Sequence, residues 1–239
     1  MPKKANPVVK PSSERISTGI PGLDKLIQGG FIRGSSILVT GSTGTGKTLF
    51  CCQFIWEGLR NGENCMYITF EEMPDEIKAD ANTFGWDFDK YEKNGKFSIT
   101  HKDPFQVTDI TTRLQNEIRQ GKISRVVVDS TSLLGLYFKD PHDIRRELYK
   151  LISALKASGT TSLLTAEVPQ HNGISRYGVE EYVTDAVIVL YDIGIGGERG
   201  SNIQVRKMRR TKIEKGYFPL LFTKNGLKVG KEGISVLMK

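Results

Sequence analysis

Cysteine is scarce in this 239-residue chain, with only Cys51, Cys52 and Cys65. An odd count with no metal-ligand spacing argues against a disulfide framework or a zinc site and leaves three small buried hydrophobes. Histidine is equally sparse: His101, His142 and His171 share no motif, which argues against a His- or Cys-ligated metal centre. No apolar run approaches the roughly 18 residues of a membrane span. The opening Met1-Pro-Lys-Lys-Ala-Asn-Pro lacks the apolar stretch of a signal peptide. These absences lead us to expect a cytoplasmic protein with no membrane partner.

Net charge is also lacking over most of the body. The formal net charge is +7, but two short segments account for it. Residues 1–15 carry Lys3, Lys4, Lys10 and Arg15 against Glu14, and residues 204–215 carry Arg206, Lys207, Arg209, Arg210, Lys212 and Lys215 against Glu214. The remainder is close to neutral, so a broad nucleic-acid-binding surface is not indicated. The length fits one α/β domain, expected over 15–239, preceded by a flexible basic arm over 1–14.

What is present is most specific at residues 41–48, Gly-Ser-Thr-Gly-Thr-Gly-Lys-Thr. This is P-loop spacing. Glycines let the backbone turn tightly enough to ring a polyphosphate with N–H donors. The positive end of the following helix then faces the same anion. The expected nucleotide-binding residues are Ser42, Thr43, Gly44, Thr45, Gly46, Lys47, Thr48 and Leu49. Lys47 is expected on the β- and γ-phosphates, with the Thr48 hydroxyl on Mg²⁺. At average residue usage such an octet arises by chance in roughly one chain in a hundred of this length. Its context lowers that further. Ser36 to Thr40 is an apolar, β-branched run, and the apolar residues from Leu49 to Trp56 recur at helical spacing.

Further strands are expected at 65–70, 97–100, 125–129, 161–166, 186–191 and 203–208, with a hairpin over 218–229 turned by Asn225-Gly226. Helices are expected at 74–84, 107–120 and 143–157. The first two-thirds therefore alternate β and α, and the last third is mostly β. The fold class is α/β, a mostly parallel central sheet flanked by helices, with a β-rich C-terminal edge.

Carboxylates end three of these strands. Asp129 closes Arg-Val-Val-Val-Asp and occupies the Walker-B position, where it is expected to hold Mg²⁺ through the ion's water shell; the alternative is a strand-end Asp capping a turn. Glu71-Glu72 follows Thr69-Phe70. Neighbouring residues on a strand face opposite sides, so one of the pair is expected to face the γ-phosphate. Glu71 is the candidate for polarising the attacking water, with Glu72 in support. The competing reading is a solvated acidic turn. Thr165-Ala166-Glu167 either senses the phosphate or merely ends a strand.

Taken in order, these pieces resemble the KaiC-like branch of the RecA superfamily of ATPases. The resemblance runs over about residues 15–230. It includes Arg15-Ile-Ser-Thr-Gly-Ile-Pro-Gly-Leu-Asp, the P-loop, Thr69-Phe-Glu-Glu and Val128-Asp-Ser. It continues through Ser175-Arg-Tyr-Gly-Val-Glu-Glu-Tyr-Val-Thr-Asp, Lys207-Met-Arg-Arg-Thr and Lys215-Gly-Tyr-Phe-Pro. It implies a RecA-like core, ATP or ADP with Mg²⁺, and a homohexameric ring with nucleotide between subunits. It further implies that Lys207 and Arg209 reach the neighbour's γ-phosphate; a charged edge strand is the alternative. Two departures stand out. Two-domain clock members have a Ser-Thr pair in one half where this chain has Glu181 and Tyr182, so self-phosphorylation there is not expected. Ile213 stands where the other half has a nucleotide-holding histidine. The expected function is a slow, regulatory ATP hydrolase. The alternatives are a DNA-handling recombinase or helicase-like motor, for which Gln170 to Arg176 would face a pore, and a nucleotide-binding scaffold with negligible hydrolysis.

Overall fold

The computed structural model describes residues 14–102, 110–132, 138, 140–168, 174–192 and 200–230. The expected basic arm, apart from Glu14, lies outside the described residues, as does most of the 170–176 stretch.

The strands are β1 (Arg15–Ile16), β2 (Phe31–Ile32), β3 (Ser36–Gly41), β4 (Cys65–Thr69), β5 (Phe97–His101) and β6 (Arg125–Asp129). They continue with β7 (Thr161–Glu167), β8 (Ala186–Asp192), β9 (Ser201–Met208), β10 (Phe218–Thr223) and β11 (Gly226–Val229). The helices are α1 (Leu23–Leu26), α2 (Lys47–Arg60), α3 (Pro74–Thr83), α4 (Phe88–Lys93), α5 (Ile110–Gly121), α6 (Pro141–Ala157) and α7 (Glu180–Val183).

Nine strands form one sheet in the order β11-β10-β9-β8-β3-β7-β6-β4-β5, while β1 and β2 form a separate ribbon. From β8 to β5 all neighbours are parallel, and β9, β10 and β11 join antiparallel. The mostly parallel sheet with a β-rich C-terminal edge is therefore as expected. Both faces are covered, which is why the central strands read as continuous apolar runs. Alternation sorts their side chains. Cys65 and Tyr67 of β4 join the core that α2 fills with Phe50, Phe54 and Ile55. Met66 and Ile68 point the other way, to Leu114 and Ile118 of α5 and Leu151 and Leu155 of α6.

Most boundaries agree with the expected ones to within two residues. The start of the helix expected from 107 lies outside the described residues. Helix α4 was not foreseen: six residues are too short to show a hydrophobic period, and its signal is the Asp87 carboxylate, which accepts from the Lys90 N–H at 2.9 Å. All three cysteines are free and buried, and burial pushes their thiols well above the ordinary range. Among the described residues no helix is long and apolar enough to cross a membrane.

Candidate functional site

Parallel pairing brings the carboxyl ends of β3, β7, β6 and β4 to one edge of the sheet, where ligands gather in open α/β folds. The P-loop leaves β3 there. A side chain at Gly41 would put its Cβ 2.5 Å from Thr45 Oγ1 and 2.7 Å from the Leu190 carbonyl, so only glycine fits. Gly46, at φ +92°, is the residue before α2, and a Cβ there would meet the Phe222 ring at 2.9 Å. No side chain caps α2, and its first turn carries no acid. Its leading N–H groups therefore suit an anion. Lys47 Nζ donates to the carbonyls of Gly41 and Ser42 at 2.9 and 3.0 Å, curled along the same loop.

Around Thr48 an oxygen cluster assembles. Its hydroxyl lies 3.1 Å from Glu72 Oε1 and 3.4 Å from Asp129 Oδ2. Hydroxyl and carboxylate oxygens are the donor set that a hard divalent cation such as Mg²⁺ takes, so these residues fit that ion. Burial first, with Asp129 among its charged neighbours, raises the Glu72 carboxyl above its ordinary range, partly offset by the Thr48 hydroxyl.

Asp129 is held from both sides. Tyr67 donates its phenol to Oδ2 at 2.6 Å, and Thr165 donates to Oδ1. Burial, then the adjacent Asp129 charge, raises the Tyr67 phenol well above the usual tyrosine range. Thr165 thus has a definite partner at the strand ends, whereas Glu167 pairs with Arg176 at 2.7 Å. Tyr67 was missed by sequence reasoning. The available signal was a tyrosine inside a wholly buried strand, whose hydroxyl must find a partner.

The two neighbouring glutamates lie just past the end of β4, beyond the reach of strand alternation, and have different partners. Glu72 meets Thr48, while Glu71 Oε1 accepts from Ser130 Oγ at 2.6 Å, just past Asp129. The Asp129–Ser130 peptide is cis.

Lys207 and Arg209 lie elsewhere. Lys207 pairs with Val187, near the amino end of β8. The Arg209 N–H donates to the Asp185 carbonyl at 2.9 Å, and Asp185 N–H to the Ser36 carbonyl at 2.8 Å. Ser36 begins β3, five residues from Gly41, a span of about 16 Å along the strand. The two cations therefore occupy the opposite edge from their own P-loop. They converge on one short segment. Lys207 Nζ donates to the carbonyls of Glu181 and Thr184, both at 2.8 Å, and Arg209 to Tyr182 O at 3.3 Å. Burial, then the Arg209 charge, lowers the Lys207 pKa. Arg209 also lines a cavity of about 620 Å³ with Arg145, Tyr149, Lys156 and Tyr182. Ile213, by contrast, packs inward against the main core.

A doubly covered parallel sheet with a glycine loop, an uncapped helix start and strand-end carboxylates defines a P-loop ATPase domain of the RecA type. The family model described as "ATPase: KaiC" matches residues 16–234, and the chain belongs to that family. It is 34% identical over 236 residues to the circadian clock protein KaiC3 of Synechocystis, covering 94% of this chain and 46% of that protein. It is 35% identical over 224 residues to the clock oscillator protein KaiC of Parathermosynechococcus lividus, covering 89% and 41%. It thus spans a little under half the length of these curated relatives. Among solved structures, a KaiC-like protein from the hyperthermophilic archaeon Pyrococcus horikoshii matches with TM-score 0.82 and 36% identity, covering 91% of this chain and 99% of that one.

Proposed function

We propose that this chain is a slow, regulatory, Mg²⁺-dependent ATP hydrolase whose site is completed between subunits of a homohexameric ring. The observation that carries this reading is the placement of Lys207 and Arg209. They converge on residues 181–185 at the sheet edge away from their own P-loop, so they serve a phosphate only on another copy.

Within one chain, the P-loop N–H groups and Lys47 bind the phosphates. Thr48, Asp129 and Glu72 would hold Mg²⁺, which would supply charge neutralisation to the phosphates. Tyr67 and Thr165 fix the Asp129 carboxylate. Glu71, hydrogen-bonded to Ser130 rather than to the Thr48 cluster, orients water for in-line attack and accepts its proton. A bond forms from the water oxygen to the γ-phosphorus, and the bond from that phosphorus to the ADP oxygen breaks. Lys207 and Arg209 of the next copy stabilise the charge that develops, as arginine fingers do. The solution mass with and without ATP and Mg²⁺, paired with phosphate release, tests the reading. A hexamer that forms or tightens with ATP is expected. A monomer hydrolysing ATP at full rate contradicts it.

A further inference from the structure

Asp185 stands where the two ends of this machinery meet. It is 8% exposed, and it precedes β8. Its Oδ2 accepts from the Ser36 backbone N–H at 3.0 Å. Its own N–H donates to the Ser36 carbonyl at 2.8 Å, and its carbonyl accepts from the Arg209 N–H at 2.9 Å. Lys156 on α6 spans both carboxylate oxygens, 2.7 Å from Oδ2 and 2.8 Å from Oδ1, and the Arg209 guanidinium is 3.5 Å from Oδ1. One residue therefore holds the first residue of the P-loop strand by two bonds and Arg209 by two more, with its carboxylate supplying one of each pair. Lys207 of the proposed catalytic set also lies within its electrostatic reach.

The electrostatics are specific. A single buried carboxylate faces Lys156 and Arg209, with Lys207 also within its field, so it does not neutralise them all. Lys156 makes the shorter contact, while Arg209 is held by one nitrogen and is half exposed. Its other nitrogen donates to the Tyr182 carbonyl at 3.3 Å. A guanidinium presents its N–H donors in a fixed plane. The contacts to Asp185 and Tyr182 thus constrain the plane of the guanidinium, which stays half exposed.

We propose that Asp185 is a positioning residue for Arg209, aiming its guanidinium at the phosphate of a neighbouring copy and tying it to its own β3 strand. This rests on the reading that Arg209 acts between subunits. Asp185→Asn keeps the shape and the acceptor for Ser36 but removes the charge that orients the guanidinium. Turnover is expected to fall on the order of 10²-fold, as for a misplaced catalytic group. Nucleotide affinity at the variant's own P-loop is expected to stay unchanged.

Mixed rings separate this from simple damage to the fold. Asp185→Asn subunits, with an intact P-loop, are combined with Lys47→Ala subunits, with an intact Arg209 and Asp185. Turnover is expected to recover at interfaces where the first supplies the P-loop and the second the finger. The same mixture with Arg209→Ala in place of Asp185→Asn is the reference. Recovery in the reference alone overturns the proposal, because the loss then lies in the variant's own β3. No recovery in either, in rings shown to be mixed, overturns the reading beneath it. If unpaired Lys156 prevents folding, Asp185→Asn combined with Lys156→Met removes that charge and carries the same test.

Discussion

The Tyr67 phenol oxygen lies 2.6 Å from Asp129 Oδ2, across the β4–β6 pair that aligns Thr69 with Asp129. Both groups are buried, and this bond with the one from Thr165 holds the carboxylate from both sides. Removing the hydroxyl in Tyr67→Phe should cost about 1–2 kcal/mol, in line with a buried bond to a charged acceptor. That is a fall in Tm of about 2–8 °C for a domain of this size. The Mg²⁺ concentration that half-saturates turnover should rise as well. An unchanged Mg²⁺ midpoint would show that Tyr67 only packs.

The two glutamates should separate in kinetics. Glu71→Gln is expected to lower turnover by about 10²–10⁴-fold, the usual contribution of a general base, with ATP binding intact. Glu72→Gln should instead raise the Mg²⁺ requirement. Because burial holds the Glu72 carboxyl above its ordinary range, Mg²⁺ binding should weaken as pH falls through a value above 4.5. The Gln variant should flatten that acid limb. If Glu71→Gln turns over normally, the assignment of the water-orienting group is wrong.

Lys207 predicts the alkaline limb. Burial and Arg209 place its pKa below 10.5. Between the lowered pKa and 10.5 the unfolded chain binds more protons than the folded one, so stability rises with pH across that window. Activity runs the other way, since only the charged amine stabilises phosphate. Turnover should fall as pH rises through the lowered pKa, and Lys207→Arg should move that limb upward. Stopped-time phosphate release at several pH values measures it, and a limb unmoved by Lys207→Arg would exclude Lys207 as its origin.

A DNA-handling motor makes a different prediction. Titrating single-stranded and duplex DNA at two salt concentrations should show no tight, steeply salt-dependent binding and no stimulation of ATP turnover. Micromolar or better affinity with a steep slope, together with stimulated turnover, would displace the regulatory reading.

Much of this was legible in the sequence because local signals agreed with the global fold. The P-loop declared itself by glycines whose necessity is visible at Gly41 and Gly46. Asp129 followed three valines that could only be a buried strand. Relationships between strands were less legible. Tyr67 and Thr165 flank Asp129 from β4 and β7, and no spacing in one chain announces that β6 lies between them. Alternation predicted different sides for Glu71 and Glu72, but both lie just past the end of β4, and which one meets Thr48 depends on the path of the chain there. Asp185 was readable only as part of a family run. Its role as a hub follows from β8 lying beside β3 and β9 beside β8.

The central claim is that the P-loop of one copy is completed by Lys207 and Arg209 of another, and mixing inactive subunits tests it most directly. Lys47→Ala subunits cannot hold the phosphates, and Arg209→Ala subunits cannot supply the finger, so each should form silent rings alone. Combined in rings verified as mixed by mass, they should regain activity at interfaces pairing an intact P-loop with an intact Arg209. Silence in verified mixed rings would contradict sharing between subunits.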